Sequence, residues 1–350
     1  MITINKQKFG KKIPVALFEK ILRERLAIND EELLILGDRG YDNKHLVASA
    51  CASAFSIAAN NQGINHSISF QNPRGIKERA DVVFLKKLKT LPKKSVIVLN
   101  VSGRIGMASY LGQTFRKFVT EKKHRFISLS SLGFIENNNI SQLLTALNTD
   151  IKDMEKRAKK IKKKLDNAES INVQTKAGTD LTVGIETREA RIAIGKYVEP
   201  GTGGNGLPGE VYVAPDKKSV NGRVVIDGSI RTLKKTHLVK RPVIIDIKNS
   251  DIFSWNNNFE SRLLKESIDY AHKSSKNPWG VRRIGELGIG LNTDAKLIGS
   301  TLVDEKVSGT AHVAIGSNKF FGGDVSASIH LDQVFKAPLF KVDGKLMDWS

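Results

Sequence analysis

The feature that most constrains this chain is a stretch between Arg283 and Asp332 in which acidic and imidazole side chains interrupt short apolar runs of strand type. Its candidate residues are Glu286, Glu305, His312, His330 and Asp332. Buried carboxylates and imidazoles are costly unless a partner compensates them. A divalent metal ion can compensate several at once, because it supplies the positive charge that their burial lacks. The stretch therefore predicts a metal site carried by buried β-strands.

Strand alternation predicts which of these side chains share a face. Apolar and polar residues alternate in the segment 328–335 (SIHLDQVF), so His330 and Asp332 project to the same side. His312 is a single polar residue on an otherwise apolar strand, a pattern that a structural histidine also explains. Glu210 follows a turn rich in Gly and Pro and begins a short β-type run, which fits an exposed strand end as well as a ligand.

Four segments carry a family resemblance: NGLPGEVYVAP, IGELGIGLN, LVDEKVSGTAHVAIG and IHLDQVF. They resemble the successive metal-site motifs of the aminopeptidase T family, which are metallo-aminopeptidases with two metal ions. Carried over position by position, the resemblance implies six metal ligands: Glu210, Glu286, Glu305, His312, His330 and Asp332. The resemblance extends to sequence motifs from about residue 200 onward. Before that residue it is limited to the general architecture. It also implies a homodimer and a peptide or other small-molecule substrate.

The resemblance predicts a hydrolase that removes N-terminal amino acids with two divalent ions, for which zinc, cobalt and manganese are the candidates. Such ions polarise the scissile carbonyl and activate a bridging water, and Glu286 is the implied general base. Two departures from the family pattern stand out. The interval from Glu305 to His312 is slightly longer, and the catalytic Tyr expected a few residues after His312 is missing. Lys319 or Phe320 falls nearby, and Lys319 is the predicted replacement for oxyanion stabilisation.

A second hypothesis keeps the metal and changes the chemistry. His312, His330 and Asp332 form the two-histidine, one-carboxylate set that holds a non-haem iron and leaves positions open for oxygen and substrate. Some ring-opening dihydroxypyridine dioxygenases are similar to the aminopeptidase T fold, and the missing Tyr favours this alternative. Retention of Glu210, Glu286 and Glu305 favours the two-metal site instead. A catalytically inactive relative is a further alternative.

The formal net charge of +20 and the pI near 9.8 raise a third hypothesis, binding to a nucleic acid or an acidic surface. The basic residues are spread along the chain without an arginine-rich or aromatic-interleaved motif, so we expect no specific nucleic-acid partner. The single cysteine, Cys51, excludes an intrachain disulfide and fits a reducing compartment. With neither a signal-peptide pattern nor a membrane-spanning pattern, a cytoplasmic protein is expected.

The order of elements predicts two domains. Helical and strand patterns alternate over 1–165, which indicates an α/β domain whose mostly parallel sheet is flanked by helices, with a basic linker helix at 151–165. Residues 166–350 form a β-rich α+β domain that carries the metal site. The glycine-rich stretch before Glu210 predicts a flexible rim or an extended turn. The turn at 101–109 is only a weak indication of a phosphate-binding site, because it lacks the P-loop pattern.

Overall fold

The computed structural model of the chain describes residues 13–75 and 78–349. Contacts divide it into two compact units. The first unit ends at Asn148 and also takes in Ile194–Pro208, whereas the second comprises Thr149–Ala193 and the chain from Gly209 onward. The division thus falls before the basic helix rather than after residue 165, because the apolar side of that helix is buried within the second unit.

The first unit contains helices, short 3₁₀ turns and a five-stranded sheet. The strands are β1 (Leu33–Asp38), β2 (His66–Gln71), β3 (Val96–Asn100), β4 (Arg125–Leu129) and β8 (Gly203–Asn205). The helices are α1 (Val15–Lys20, continued by a π-helical turn at Ile21–Arg25), α2 (Val47–Asn61), α3 (Val82–Thr90), α4 (Phe115–Lys122) and α5 (Ile140–Leu147). The 3₁₀ turns are Ser109–Leu111, Leu132–Phe134 and Asn137–Asn139.

The sheet is parallel throughout, in the order β2-β1-β3-β4-β8. Strands β1 and β3 are buried along their whole length, which explains their nearly continuous Leu, Ile and Val. Helix α2 approaches β1 closely, since a Cβ added at Gly37 would lie 2.6 Å from the Cβ of Ala52. The small residues of α2 therefore permit the close packing, and its Cys51 is fully buried.

The glycine-rich stretch before Glu210 is neither the flexible rim nor the plain turn that the sequence suggested. Its residues Gly203–Asn205 form β8, which adds to the edge of the parallel sheet beside β4. A Cβ at Gly203 would lie 2.0 Å from the ring of Phe126, so the close approach requires glycine. Glycine is disfavoured in strands, which is why the pattern did not indicate one.

The second unit contains two antiparallel sheets and three helices. Its strands are β5 (Ser170–Gln174), β6 (Asp180–Gly184), β7 (Arg191–Ala193), β9 (Glu210–Val213), β10 (Val220–Ile226), β11 (Ser229–Arg231), β12 (Thr236–Leu238), β13 (Val243–Lys248), β14 (Asp251–Trp255), β15 (Ile284–Gly290), β16 (Thr310–Gly316), β17 (His330–Lys336), β18 (Leu339–Val342) and β19 (Lys345–Leu346). Its helices are α6 (Ile151–Leu165), α7 (Phe259–Ser274) and α8 (Thr301–Asp304), with 3₁₀ turns at Pro278–Gly280 and Lys319–Phe321.

One sheet has the order β14-β13-β10-β6-β5-β18-β19, and the other has the order β12-β11-β17-β16-β15-β9-β7. In the second of these sheets β15 and β16 are buried at every position. Burying a Val, Ile or Leu side chain contributes about 1.5–3 kcal/mol, so these central strands are a rigid base for polar groups. The expected mixed architecture, a parallel α/β part followed by an antiparallel β-rich part, is confirmed.

The basic helix α6 spans the predicted residues. Its N-cap is Asp150, whose carboxylate accepts a hydrogen bond from the amide of Lys152 at 2.8 Å. The apolar residues at helical spacing are buried: Ile151, Met154, Ala158, Ile161 and Leu165. Across residues 13–75 and 78–349, every helix is too short or too polar to traverse a lipid bilayer.

Candidate metal centre

Three neighbouring strands of the second unit place the polar side chains in register. Glu286 of β15 and Asp332 of β17 both pair with Ala314 of β16, one from each side. His312 lies two residues from Ala314 on β16 and therefore faces the same side of the sheet. His330 lies two residues from Asp332 on β17 and also faces that side, as the sequence predicted. The small side chain of Ala314 leaves room for the longer ones around it.

Glycines make the convergence possible. Gly288 pairs with His312, and a Cβ at residue 288 would lie 2.1 Å from Cε1 of the imidazole. The register of β15 shifts between Ile284 and Glu286, so Gly285 is an extra residue that forms a β-bulge. Bulges re-aim side chains and are common beside active sites. The bulge thus directs Glu286 toward the centre of the cluster.

Glu210 reaches the same cluster from β9, where it pairs with Gly290 of β15. Its Oε2 lies 3.8 Å from Nε2 of His312. Two carboxylate–imidazole groups result among residues 13–75 and 78–349, and within each group one potential ligand atom per residue lies within 4.8 Å of the others. The first group is Glu210, Glu286 and His312. The second group is Glu286, His330 and Asp332, so Glu286 is common to both groups and either group could hold a metal ion.

The carboxylate of Glu286 lies between the two imidazoles. Its Oε1 is 3.2 Å from Nε2 of His312, and its Oε2 is 3.4 Å from Nε2 of His330. Nε2 of His330 is also 3.2 Å from Oδ1 of Asp332. In the part of the chain that the structure describes, the predicted iron set His312, His330 and Asp332 does not form such a group by itself. Instead of His312, Glu286 completes a group with His330 and Asp332, which are called the H-x-D pair below.

The two imidazoles differ in how their second nitrogen is held. Nδ1 of His330 is 2.8 Å from the carbonyl oxygen of Ser317, which orients the ring so that Nε2 points toward the carboxylates of Glu286 and Asp332. Metal-binding histidines commonly have such an acceptor behind them. Nδ1 of His312 is buried and has no hydrogen-bond partner among residues 13–75 and 78–349. His330 is therefore the better oriented of the two for binding an ion.

The sequence did not indicate a buried lysine in this cluster. The side chain of Lys306 is fully buried, and its Nζ lies 2.6 Å from Oε1 of Glu210 and also contacts Oε1 of Glu305. Glu305, an implied ligand, therefore reaches the cluster as a partner of Lys306 and belongs to neither group defined above. The D-E-K run at 304–306 resembles an ordinary solvated turn, so only the apolar segments on both sides of it could have suggested burial.

Lys319, predicted to assist catalysis, has an exposed side chain on the 3₁₀ turn. Among the described residues it forms no ion pair with the candidate ligands, and Lys306 is the lysine that contacts them. The neighbouring Phe320 lies in the region where the resemblance expects a Tyr. Its ring centroid is 5.1 Å from that of His330, in an edge-to-face arrangement. An aromatic edge, not an ammonium, therefore borders the H-x-D pair on this side.

Burial has the largest effect on the carboxylates. It raises the pKa of Glu286 above its usual range, although hydrogen bonding to His312 opposes the rise. Burial also raises the pKa of Glu305 to about 8, against the attraction of Lys306. For Asp332 burial acts in the same direction, but His330, together with His312 and a hydrogen bond from Glu305, outweighs it and holds the pKa below the usual range. The pKa values of the carboxylates are thus shifted in different directions.

For the cationic groups, the neighbouring carboxylates have a larger combined effect on the pKa than burial has. Burial lowers the pKa of both imidazoles, but the carboxylates around them outweigh it and raise the pKa of His312 to about 9 and that of His330 to about 10. Burial also lowers the pKa of Lys306, whereas Glu210 and Glu305 raise it further, and the net result lies above the usual value. The cluster therefore attracts positive charge strongly, which is the property a cation site requires.

Solved structures with a similar fold include two enzymes. The structure of 2,5-dihydroxypyridine dioxygenase from Pseudomonas putida superposes with a TM-score of 0.73, at 17% identity, over 99% of this chain and 96% of that one. Wild-type AmpT from Thermus thermophilus superposes with a TM-score of 0.64, at 15% identity, over 98% of each chain. At these identities the likeness establishes the fold alone. No protein with a curated description matches the chain by sequence.

A family model described as NicX, 2,5-dihydroxypyridine 5,6-dioxygenase, matches residues 134–347. This segment contains all of the acidic and imidazole residues of the cluster, from Glu210 to Asp332, and it covers well over half of the chain. The implied aminopeptidase T relationship thus extends to the fold, whereas the sequence match is to the dioxygenases. The chain belongs to the 2,5-dihydroxypyridine 5,6-dioxygenase family.

Proposed function

We propose that this protein is a metal-dependent dioxygenase that opens the ring of a hydroxylated pyridine. The observation that carries the proposal is the family match, because the matched residues 134–347 contain the whole carboxylate–imidazole cluster. This assignment replaces the aminopeptidase as the leading hypothesis. The proposed substrate is 2,5-dihydroxypyridine or a close analogue, by the description of the family, and the bond to be broken joins ring carbons 5 and 6.

Glu286, His330 and Asp332 are the proposed ligands of a ferrous ion. Their donor atoms lie within 4.8 Å of one another, and two oxygens and one nitrogen suit iron as well as manganese or zinc. A facial set of three protein ligands leaves positions open for small molecules, and ferrous iron bound there supplies the redox chemistry with dioxygen. The set departs from the usual two-histidine pattern by one carboxylate.

The residues around this set have roles of their own. The carbonyl of Ser317 accepts the hydrogen bond that orients His330. Phe320 is 56% exposed and presents its ring edge-to-face to His330, so it offers an aromatic surface to a planar ring bound beside the H-x-D pair. Buried β15 and β16 exclude water from the floor of the cluster. Together these residues would position a flat heteroaromatic substrate.

The test is oxygen uptake by full-length protein loaded anaerobically with ferrous iron. Addition of 2,5-dihydroxypyridine in air is expected to consume about one dioxygen per substrate and to remove the ultraviolet absorbance of the ring, because both oxygen atoms enter the product. Protein without iron is the matched control. If iron-loaded protein consumed no oxygen with this compound or with other dihydroxypyridines, the proposed reaction would be refuted.

A two-metal aminopeptidase is the second candidate, and one observation favours it. Glu286 is common to both candidate groups, as a carboxylate that bridges two ions would be. Zinc-, cobalt- or manganese-loaded protein would then release N-terminal residues from a panel of aminoacyl reporters, whereas the dioxygenase would leave them intact. The two functions are therefore separated by assays on the same preparation.

A further inference from the structure

The buried ammonium of Lys306 already contributes a positive charge to one side of the cluster. It is held by two carboxylates, with Nζ 2.6 Å from Oε1 of Glu210 and in contact with Oε1 of Glu305. The side chain has no exposed surface. A buried ion pair of this kind is stable only with close geometry on both sides. Lys306 is thus a fixed cation within the centre.

The backbone is shaped to admit this side chain. Gly209 has φ of +142°, and a Cβ there would lie 2.9 Å from the Cβ of Lys306 and 2.7 Å from that of Asn292. The amide of Asn292 donates to the carbonyl of Lys306 at 2.8 Å, and the amide of Leu291 donates to the carbonyl of Gly209 at 2.7 Å. These bonds join the residue before Glu210 to the end of β15. They fix Lys306 and Glu210 relative to each other.

Among the described residues, the ammonium forms a direct ion pair with a member of only one of the two candidate metal groups. It is bound to Glu210, a member of the group Glu210, Glu286 and His312. In the described part of the chain it forms no ion pair with His330 or Asp332, and it meets Asp332 only through Glu305, which is hydrogen-bonded to that carboxylate. A divalent ion on the remaining oxygen of Glu210 would share that carboxylate with a cation in a dry environment, where like charges repel strongly. His312 also lacks the acceptor behind Nδ1 that the other histidine has.

We propose that the ammonium of Lys306 takes the place of a second divalent ion. It neutralises Glu210 and Glu305, holds them out of metal coordination, and leaves the group Glu286, His330 and Asp332 as the site of a single ion. Lys306 is therefore a positioning residue that sets the metal stoichiometry. The inference rests on the proposed metal function of the centre, but not on the identity of the substrate or on turnover.

The test counts ions. Chelator-stripped full-length protein is titrated with Co²⁺, and binding is followed by calorimetry and by the visible absorption of bound cobalt. Wild-type protein is expected to saturate at one ion per chain. Lys306→Met, which preserves length and removes the charge, is expected to saturate at two, because Glu210, Glu286 and His312 are then released to bind an ion. Its melting temperature should rise further on the second equivalent, whereas that of the wild type should not.

Lys319→Met is the matched control, since it removes a nearby but exposed lysine and should leave the count at one. If Lys306→Met does not fold, Lys306→Gln replaces it in the same titration, and two ions per wild-type chain would overturn the proposal in either case. One ion on both wild type and Lys306→Met would overturn it while leaving the single-metal dioxygenase intact. No ion on any of the proteins would overturn the metal centre itself, so the two failures are distinguishable.

Discussion

The imidazole of His312 lies against the backbone of Gly288, the residue opposite it in the β15–β16 pair. A side chain at residue 288 would enter the space of the ring, with its Cβ 2.1 Å from Cε1. The position of His312 in the cluster therefore requires that residue 288 has no side chain.

The first prediction is that Gly288→Ala displaces His312 from Glu286 and destabilises the fold. Overpacking a rigid core costs about 1–3 kcal/mol, and both strands are buried here. We expect a lower urea midpoint and weaker metal binding. Gly75→Ala is the control, because among the described residues its added Cβ would have no neighbour closer than 3.8 Å. Wild-type stability in the Gly288 variant would show that the ring can move freely.

The second prediction concerns the carboxylate shared by both groups. Glu286→Gln keeps the size of the side chain and removes its charge, so metal affinity should fall by at least about 100-fold, more than the usual effect of an outer-shell change. Titration calorimetry with Mn²⁺ measures the loss. Glu266→Gln, an exposed change on α7, is the control and should bind normally. Unchanged affinity in Glu286→Gln would remove this residue from the set of ligands.

Part of this centre could be predicted from the sequence because strand periodicity is local. The alternation around His330 and Asp332 places both on one face whatever the rest of the chain does, and the structure agrees. The pairing of Glu286 and Asp332 through Ala314 depends on sheet register. Register is set by strands that are distant in sequence. The prediction that Glu286 and Asp332 share one site therefore came only from the family resemblance.

Two features could not be predicted, each for a physical reason. Lys306 follows two acidic residues, and such a run is usually solvated; its burial depends on Gly209 and on carboxylates distant in sequence. The strand Gly203–Asn205 forms from residues that disfavour strands, because the ring of Phe126 leaves space only for glycine. In both cases tertiary contacts outweigh the local pattern.

The third prediction tests the aromatic edge. Phe320→Ala should raise KM for the dihydroxypyridine by about 2–10-fold, which corresponds to the 0.5–1.5 kcal/mol typical of an aromatic pair. Metal affinity should not change, because the ring contacts His330 without coordinating an ion. Phe253→Ala, at an exposed position on β14, is the control. A loss of metal with unchanged KM would show that the ring only supports His330.

The fourth prediction is that metal binding strengthens with pH. Carboxylates raise the pKa of His330 to about 10 in the metal-free protein, so at pH 6–8 an ion must displace its proton. Affinity should therefore rise by about tenfold per pH unit for each proton released, and level off above pH 10. Calorimetry in buffers of different ionisation enthalpy counts those protons. An affinity independent of pH from 6 to 8 would contradict this assignment.

The fifth prediction concerns the first unit, where His124 is fully buried and its ring lies 5.3 Å from that of Phe118. Burial lowers its pKa to about 4, so the folded protein keeps the ring neutral while the unfolded chain protonates it near pH 6.5. The free energy of unfolding should therefore fall as pH drops from 6.5 to 4, by about 2–3 kcal/mol in total. Urea midpoints measured across this range should decline more steeply for the wild type than for His124→Phe, which has no proton to bind. Parallel declines would mean that other groups cause the acid sensitivity.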